Sequence, residues 1–301
     1  MLIDGKKIAR EINAGNRWRV GELRKQQIIP GIAVILVGDN PGSQIYTRTK
    51  HRLAQKLGIA SKIYHLPADT EQATVLKLIR KLNLNDQVDA ILVQEPLPAQ
   101  LNNEEIISAI DPAKDVDGLH PVNLGQLFAN RNGHYPIACT PRGIITLLER
   151  YQVDLEGANV VIVGRSLLVG KPLLALLNNR NATVTFIGRH TKNRPALTRQ
   201  ADILIVATGV PNLIKAADIK DHAVVIDVGI NRLPSGKLVG DVDFDDVLSK
   251  AKLVTPVPGG VGPMTVVTLM EQTIDLAEWH NEVKNFGSGK RATILQWAKN
   301  W

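Results

Sequence analysis

The sequence predicts an α/β protein of two domains, each built around a mostly parallel β-sheet with helices on both faces. Short apolar runs alternate with segments of helical spacing along most of the chain, a pattern typical of consecutive βα units. The alternation falls into two series that meet near residue 140. A chain of 301 residues is also too long for one ordinary hydrophobic core, so two domains are expected.

The first series begins with a helical segment and then alternates three strands with three helices. Its strands are predicted at residues 31–37, 61–66 and 90–93, and its helices at residues 3–27, 43–57, 71–84 and 103–110. Ser43 is a possible N-cap of the helix that it opens, and Gly58 stops that helix. Residues 111–133 show no clear periodicity and are expected to be irregular.

The second series opens with a helix that starts at Thr140 and runs through Tyr151. It continues with strands predicted at residues 159–163, 182–187, 203–207, 224–228 and 253–254, and with a helix at residues 170–178. A last helix follows Thr265 and is expected to pack back on the first domain. The predicted domains are therefore residues 1–139, joined by the helix of residues 266–301, and residues 140–265.

Composition and charge disfavour several classes of protein. The chain has 36 Lys and Arg against 29 Asp and Glu, a net charge of +7, but the cations are scattered and only 4% of residues are aromatic. We therefore expect no nucleic-acid partner, and a small polyanionic ligand accounts for the charge equally well. No apolar run is long enough to span a bilayer and no signal peptide is apparent, so no membrane partner is expected.

Cysteine and histidine usage bounds the chemistry further. The single cysteine, Cys139, rules out an internal disulfide and fits a reducing cytoplasm. It has no convincing catalytic partner and is expected to be a packed thiol. The seven histidines show no metal-binding spacing, so no metal site is predicted.

Residues 255–265, Thr-Pro-Val-Pro-Gly-Gly-Val-Gly-Pro-Met-Thr, form the most distinctive stretch, which we name the Pro-Gly loop. Its positions 256–263 hold three prolines and three glycines, a mixture that neither a helix nor a central strand tolerates. The stretch predicts a rigid strand-to-helix connection that presents bare backbone. Generic loops of this kind are mostly tight structural turns, but the length and density of this one favour a ligand-binding wall.

Residues 164–170, Gly-Arg-Ser-Leu-Leu-Val-Gly, lie between a predicted strand and a predicted helix, which is the context of a dinucleotide phosphate site. Their spacing is not G-x-G-x-x-G, so the motif alone is a weak signal. The next strand ends in Gly188-Arg189-His190, where an NAD site usually places Asp or Glu. Together, Arg165 and Arg189 suit a 2′-phosphate and predict NADP rather than NAD, although each arginine alone is more typical of a solvated surface charge.

Two further patterns are candidate ligand contacts. Tyr46 and Lys50 are four residues apart on a predicted helix, so they share a face from which they can stack on a planar ligand and move a proton. Asp115 and Asp117 stand two apart and suit a metal, a cation or an amino-heterocycle. Taken alone, the first pattern is more typical of an amphipathic helix with a surface lysine, and the second of an Asx-rich turn.

Together, these segments closely resemble one family, the bifunctional methylenetetrahydrofolate dehydrogenase/methenyltetrahydrofolate cyclohydrolases. They occur in family order and cover most of residues 1–280, and the Pro-Gly loop is the most specific of them. The other resembling segments are Leu2-Ile-Asp-Gly-Lys6, Ser43-x-x-Tyr46-x-x-x-Lys50, Val93-Gln94-x-Pro-Leu-Pro98, Lys114-Asp-Val-Asp-Gly118, Cys139-Thr-Pro-x-Gly143, Val163-Gly-Arg-Ser166 and Asp227-Val-Gly-Ile-Asn231.

The resemblance implies two α/β domains around a cleft, usually as a homodimer, with folate on the N-terminal domain and NADP on a Rossmann-like second domain. Lys50 would be the catalytic lysine, hydrogen-bonded to Gln94. Tyr46 would stack on the folate, and Asp117 would bind the amino-pyrimidine edge of the pterin. The folate pocket would be lined by Val93, Gln94, Glu95, Pro258, Gly259, Gly260, Gly262, Pro263 and Thr265, and NADP would be held by Gly164, Arg165, Ser166, Arg189 and Ile230.

The implied chemistry has two steps. Hydride leaves the methylene bridge of 5,10-methylenetetrahydrofolate for the nicotinamide, and positioning is the main demand because the folate nitrogens push the hydride out. Water then attacks the methenyl carbon, and the ring opens to 10-formyltetrahydrofolate. Since the water must lose a proton and a ring nitrogen must gain one, a lysine beside Gln94 is suited to carry these protons.

The chain departs from the family pattern at three places. Glu95 stands where Leu is more common, and strand alternation predicts that its side chain points away from Lys50. Residues 186–191, Phe-Ile-Gly-Arg-His-Thr, replace the usual Cys-His-Ser-x-Thr, although a basic residue still suits the 2′-phosphate. Residues 281–301 extend beyond the resemblance and are expected to be either a helix packed on the first domain or a partner contact.

Two rival functions stay open on the sequence. One is another two-domain NADP-dependent dehydrogenase, of the shikimate or amino-acid type, which would lack the set Tyr46, Lys50 and Gln94. The other is a non-catalytic folate-binding homologue, for which Glu95 is the only hint. A folate-dependent assay of NADPH formation separates all three functions.

Overall fold

The computed structural model describes residues 1–285, which form two compact α/β units with parallel sheets, as the sequence predicts. The three-stranded unit comprises residues 13–120, 133–136 and 269–285. The five-stranded unit comprises residues 1–12, 121–132 and 137–268. No helix within residues 1–285 is both long and apolar enough to cross a membrane.

The helices and strands alternate along most of the chain. In chain order they are α1 (Gly5–Lys25), β1 (Gly31–Val37), α2 (Pro41–Leu57), β2 (Ala60–Leu66), α3 (Gln72–Asn83), β3 (Ala90–Val93), α4 (Asn103–Ser108), α5 (Pro121–Phe128), α6 (Cys139–Arg150), β4 (Asn159–Val163), α7 (Gly170–Asn178), β5 (Thr183–Ile187), α8 (Arg194–Thr198), β6 (Ile203–Val206), β7 (Val224–Asp227), β8 (Asn231–Arg232), β9 (Leu238–Val239), α9 (Phe244–Leu248), β10 (Leu253–Val254) and α10 (Val261–Asn285).

In the three-stranded unit, the sheet has the order β2-β1-β3 and every pairing is parallel. The central strand β1 is buried at all seven positions, which explains its uninterrupted apolar sequence. One face of β1 packs in a core cluster with Val75, Ile79 and Leu82 of α3. The carboxyl ends of β1 and β3 therefore lie at the same edge of this sheet.

In the five-stranded unit, the sheet has the order β10-β7-β6-β4-β5 and is again parallel throughout. The chain passes from β4 to β5 on one side and returns to β6 on the other. The strand order therefore reverses between β4 and β6, which is the topological switch point where α/β sheets bind ligands.

Several elements differ from the sequence-based expectation. Residues 111–133, expected to be irregular, contain α5, whose first residue Pro121 suits the first turn of a helix. Helix α10 begins at Val261 rather than after Thr265, so Gly262 and Pro263 lie in its first turn. The remainder of the predicted helix of residues 266–301, and most of the predicted tail of residues 281–301, lie outside the described residues.

The N-terminal segment is part of the five-stranded unit and packs on the Pro-Gly loop. Ile3 N donates to Val254 O at 2.9 Å and Val254 N donates to Met1 O at 3.1 Å, which extends the sheet beyond β10. Lys6 N donates to Gly259 O at 3.1 Å. An ideal Cβ on Gly5 would lie only 1.8 Å from Gly260 O, so only glycine fits at position 5.

We predict that Gly5→Ala lowers the free energy of unfolding by about 1–3 kcal/mol or more, because the new methyl group must displace a backbone carbonyl. The matched control is Gly15→Ala on the same helix, where no heavy atom lies within 4 Å of the new Cβ. This control is expected to gain about 0.5–1 kcal/mol from helix propensity. Thermal unfolding measures both changes, and a wild-type midpoint for Gly5→Ala would contradict the close approach.

Candidate active site

Lys50 and Gln94 meet in the three-stranded unit. Lys50 projects from α2, and Gln94 follows β3 directly, with its backbone N–H donating to Ile35 O of β1 at 2.9 Å. Lys50 Nζ donates to Gln94 Oε1 at 3.0 Å, and Gln94 Nε2 donates to Glu95 O at 2.7 Å. Because the amide is held at both ends, it fixes the position of a half-buried ammonium group at the carboxyl end of β3.

Helix α2 is started by Asn40 rather than by Ser43, which corrects the expected cap. Asn40 Oδ1 accepts from Ser43 N at 3.0 Å, and Pro41 occupies the first helical position, where its missing N–H is not needed. The buried Ser43 hydroxyl instead donates to Glu95 O at 3.2 Å. Helix α2 is thereby attached to the chain just after β3, and Gly58 ends it in the left-handed conformation, as expected.

Tyr46 precedes Lys50 by one turn on α2 and has 45% of its surface exposed. Residues four apart in a helix lie on the same face, so the phenol ring and the ammonium are presented side by side. This geometry allows a planar ligand to stack on the ring while it contacts Lys50.

Asp117 reaches the same edge of the sheet by backbone pairing. Ile91 N of β3 donates to Lys114 O at 2.7 Å, and Asp115 forms a parallel bridge with Ile91. The chain then turns, because Gly118 N donates to Asp115 O at 3.1 Å, and Asp117 lies in this turn directly after the bridge to β3. The structure thus brings Lys50 and Gln94 together, and it places Asp117 in a turn of the segment that pairs with β3.

Glu95 is oriented toward α4. Its Oε1 accepts a hydrogen bond from Asn103 Nδ2 at the start of that helix, whereas Lys50 bonds to Gln94. The contacts of this carboxylate agree with the expectation that Glu95 points away from the lysine. The Glu95 carbonyl, by contrast, accepts from both Ser43 Oγ and Gln94 Nε2.

The turn after β4 forms a backbone cradle in the five-stranded unit. Gly164 has a φ of +126°, and a Cβ there would lie 2.0 Å from Ala207 O. A Cβ on Gly170, the first residue of α7, would lie 2.1 Å from Gly164 O. Ser166 Oγ accepts from Val169 N at 3.2 Å and closes the turn. The exposed residues 165–168 lead from this turn into the N-terminus of α7, and a helix N-terminus after such a turn is the kind of site that binds phosphate.

Two arginines lie beside this turn. Arg165 packs against Gly188, because a Cβ on that glycine would lie 2.7 Å from Arg165 Nε. Arg189 follows Gly188 at the end of β5, is exposed, and donates from Nε to His190 Nε2 at 2.9 Å. The Arg165 side chain therefore lies against the end of β5, next to the residue that precedes Arg189. Two neighbouring guanidinium groups suit an anion that carries two charges, such as a phosphate.

Ile230 and the Pro-Gly loop lie close together in the same unit. Ile230 is 45% exposed, and a Cβ on Gly262 would lie 3.4 Å from Ile230 Cδ1. Within the loop, Gly260 N donates to Pro256 O at 2.8 Å, and Thr265 Oγ1 hydrogen-bonds with Thr140 Oγ1 at 2.9 Å. Of the remaining predicted loop residues, Pro258 is exposed, Gly259 is buried, and Pro263 lies in the first turn of α10.

Two buried carboxylates lie in the same unit: Asp227, which opens one of the resembling segments but was given no role, and Asp241, which sequence reasoning missed. Asp227 ends β7 and is 3% exposed, and Asp241 follows β9 and is fully buried. Burial raises the pKa of the Asp227 carboxyl to about 6, against the opposing effect of three backbone N–H donors, from Gly229, Asp241 and Val242. The signal in the sequence was an acidic residue at the end of an otherwise apolar strand, Val-Val-Ile-Asp.

Glycines leave room for both carboxylates. A Cβ on Gly240 would lie 1.7 Å from Asp227 Oδ2, and a Cβ on Gly229 would lie 2.1 Å from Asp241 Oδ1. Asp241 Oδ2 accepts from Thr208 N, Thr208 Oγ1 and Gly209 N at 2.5, 2.9 and 2.9 Å. The turn after β6 is thus held by a side chain from a distant part of the chain.

Comparison with known proteins identifies what this arrangement is similar to. Two family models match the chain: tetrahydrofolate dehydrogenase/cyclohydrolase, catalytic domain, over residues 3–117, and tetrahydrofolate dehydrogenase/cyclohydrolase, NAD(P)-binding domain, over residues 138–281. The chain is 64% identical over 281 residues to the bifunctional protein FolD of Limosilactobacillus reuteri strain DSM 20016, covering 93% of this chain and 98% of that protein.

Two solved structures are also similar to the chain. The bifunctional enzyme FolD, a methylenetetrahydrofolate dehydrogenase/cyclohydrolase from Campylobacter jejuni, has a TM-score of 0.92 and 44% identity, with 93% of this chain and 99% of that chain covered. The Trypanosoma brucei N5,N10-methylenetetrahydrofolate dehydrogenase-cyclohydrolase, complexed with NADP cofactor and inhibitor, has a TM-score of 0.89 and 35% identity, with 93% and 98% covered.

Proposed function

The chain belongs to the tetrahydrofolate dehydrogenase/cyclohydrolase family, and from this premise we propose how its residues carry out the two reactions. It oxidises 5,10-methylenetetrahydrofolate to 5,10-methenyltetrahydrofolate with NADP and hydrolyses that product to 10-formyltetrahydrofolate. The matches to both family domains favour this activity over a shikimate-type or amino-acid-type dehydrogenase. The intact Lys50–Gln94 pair supports a catalytic rather than a purely folate-binding protein.

The three-stranded unit holds the folate in this proposal. Tyr46 stacks on the pterin, and the Asp117 carboxylate pairs with two N–H donors of its amino-pyrimidine edge. The support is that Tyr46 and Lys50 project from α2, that Lys50 bonds to Gln94 just after β3, and that Asp117 lies in the turn after the bridge between Asp115 and β3. The backbone of Val93 through Glu95 lies in the same place and offers further hydrogen-bonding groups.

The five-stranded unit holds NADP. The turn of Gly164, Arg165 and Ser166 suits a pyrophosphate because residues 165–168 are exposed and lead into the N-terminus of α7. Arg165 and Arg189 bind the 2′-phosphate, and Ile230 packs on the cofactor. When bound, NADP supplies the acceptor for the hydride that leaves the methylene carbon.

The Lys50–Gln94 pair carries the protons of the hydrolytic step, and this pair is the observation on which the proposal rests. As a neutral amine, Lys50 Nζ accepts a proton from the water that attacks the methenyl carbon. As an ammonium, it returns a proton to the ring nitrogen that leaves, so protons balance over the step. Gln94 keeps Nζ aimed because its own amide is tied to the Glu95 carbonyl.

We propose that the enzyme works in the cytoplasm as a homodimer. Cys139, the single cysteine of the sequence, is buried in the first turn of α6, which suits a reducing compartment. The dimer follows from the family resemblance. Folate-dependent formation of NADPH, followed by its absorbance, tests the activity as a whole, and no turnover with methylenetetrahydrofolate would contradict it.

Lys50→Met is expected to lower methenyltetrahydrofolate hydrolysis by about a hundredfold or more, because the proton carrier is lost. Folate and NADP binding, measured by calorimetry, should largely survive, since methionine keeps most of the side-chain volume. Lys56→Met is the matched control, because Lys56 is an exposed lysine on the same helix. Full hydrolytic activity of Lys50→Met would disprove the assignment.

Arg189→Ala is expected to weaken NADP binding by about tenfold or more, as the loss of a charge-assisted phosphate contact predicts. NAD lacks the 2′-phosphate, so its dissociation constant should change much less. Arg199→Ala, which removes an exposed arginine after α8, serves as the control for net charge. Equal losses for both dinucleotides would mean that Arg189 does not face the 2′ position.

Glu95→Leu is expected to leave the pH profile of methenyl hydrolysis unchanged, because the Glu95 carboxylate bonds to Asn103 and not to Lys50. The profiles of the wild type and the variant should superimpose when hydrolysis is measured at closely spaced pH values. A clear shift of the variant toward acid would place the carboxylate beside Lys50, where it would favour the ammonium form. Asn103→Leu, which removes the partner of Glu95, completes the comparison.

A further inference from the structure

Asp227 and Asp241 are two buried negative groups whose hydrogen-bond donors within residues 1–285 are all uncharged. Asp227 accepts from three backbone N–H groups, and Asp241 accepts from the turn after β6 and from Asn231 Nδ2 at 2.8 Å. The charged group with a marked effect on Asp227 is Asp241 itself, which adds repulsion rather than compensation. Two such carboxylates are costly to bury, and a substituted amide could make several of the same hydrogen bonds without a charge.

The position of the pair follows from the sheet topology. The phosphate-binding turn follows β4, the arginines of the 2′-phosphate site lie beside β5, and the switch point separates β4 from β6. In the proposed cofactor site, the other half of the dinucleotide, its nicotinamide, would cross the switch point toward β6 and β7. Asp227 ends β7, and Asp241 binds the residues that follow Ala207, the residue that Gly164 touches.

The nicotinamide ring carries a positive charge in NADP⁺ and none after it has accepted hydride. We propose that the Asp227–Asp241 pair makes this enzyme bind oxidised NADP⁺ more tightly than NADPH. Negative charges held by fixed dipoles in a region of low dielectric favour a nearby cation and leave a neutral ring unaffected. The inference rests on the proposed cofactor site and extends it to the choice between the two redox forms of the cofactor.

Asp241→Asn removes the charge while it can keep the hydrogen bonds. The amide oxygen of the variant can still accept from Thr208 and Gly209, and its amide N–H₂ would face the side chain of Asn231. A flip of the Asn231 amide then presents an oxygen to that donor. Asp227→Asn is less suitable, because either orientation of its amide places an N–H₂ group against a backbone N–H.

The experiment is calorimetric titration of the protein with NADP⁺ and with NADPH, without folate, at pH 8. For Asp241→Asn we expect the preference for NADP⁺ over NADPH to fall by about threefold to tenfold, through weaker binding of NADP⁺. A tenfold change in this ratio corresponds to about 30 mV in the potential of the bound couple. The matched control is Asp245→Asn, which removes an exposed carboxylate on α9 and should leave the ratio unchanged.

If Asp241→Asn weakened the binding of NADP⁺ and of NADPH equally, the role of Asp241 would be purely structural and the proposal would be overturned. An unchanged preference for NADP⁺ over NADPH would overturn it as well. If the variant does not fold, the proposal is tested on the wild type, by comparing its preference for NADP⁺ over NADPH at pH 8 and at pH 5. The pKa of Asp227 is raised to about 6, so this carboxyl is ionised at the higher pH and protonated at the lower one. The groups that contact it are Asp241 and the uncharged Gly229, Val242 and Thr255.

The preference for NADP⁺ should therefore decline at pH 5, and a ratio that is constant with pH would overturn the proposal. Titration of the 2′-phosphate does not interfere, because both forms of the cofactor carry it. A protein that binds neither form would overturn the cofactor assignment together with this inference. A protein that shows the expected ratios but does not oxidise methylenetetrahydrofolate would contradict the proposed function alone.

Discussion

Parallel pairing of short buried strands is the constraint on which both candidate sites depend. In the three-stranded unit, β1 pairs with β3 from Ile32 opposite Ala90 onward, so Gln94 emerges beside the start of α2. In the five-stranded unit, the same rule places the turns after β4, β6 and β7 at one edge of the sheet. Each strand supplies only one or two functional residues, and the pairing assembles them into a site.

In the five-stranded unit, close packing of backbone segments stabilises the fold, whereas buried charge destabilises it. Gly5, Gly164 and Gly170 let backbone segments pack at distances that a side chain would forbid, and such packing adds dispersion contacts. Asp227 costs stability, because burial disfavours its charged form and raises its pKa to about 6. Its hydrogen bonds offset part of this cost, and together with those of Asp241 they fix the turns that follow β6 and β7. The proposed cofactor site is thus well connected by hydrogen bonds, although the buried Asp227 carboxylate lowers the free energy of unfolding that the unit could otherwise reach.

Local sequence patterns predicted structural features correctly where the contacts that determine them are close in sequence. They were wrong where several neighbouring residues could play the same part or where the element is short. The continuous apolar run of β1 and the stop of α2 at Gly58 were predictable, because both follow from neighbouring residues. The cap of α2 was assigned to Ser43 although Asn40 forms it, since any of several polar residues before a helix can accept the same N–H. Helix α5 was missed because it is only eight residues long.

The sequence alone determined the α/β class, the Pro-Gly loop, the glycine turn before α7 and the resemblance that led to the family. Each of these is a property of residues that are adjacent in the chain, so propensity and spacing suffice to find it. The resemblance also implied the bond between Lys50 and Gln94, 44 positions apart, which the structure contains. Only the tertiary structure decided that Asp241 holds Thr208, 33 positions away, and that Glu95 bonds to Asn103. Such pairings depend on how strands and helices pack, because a hydrogen bond requires two atoms within about 3 Å and no local pattern specifies that distance.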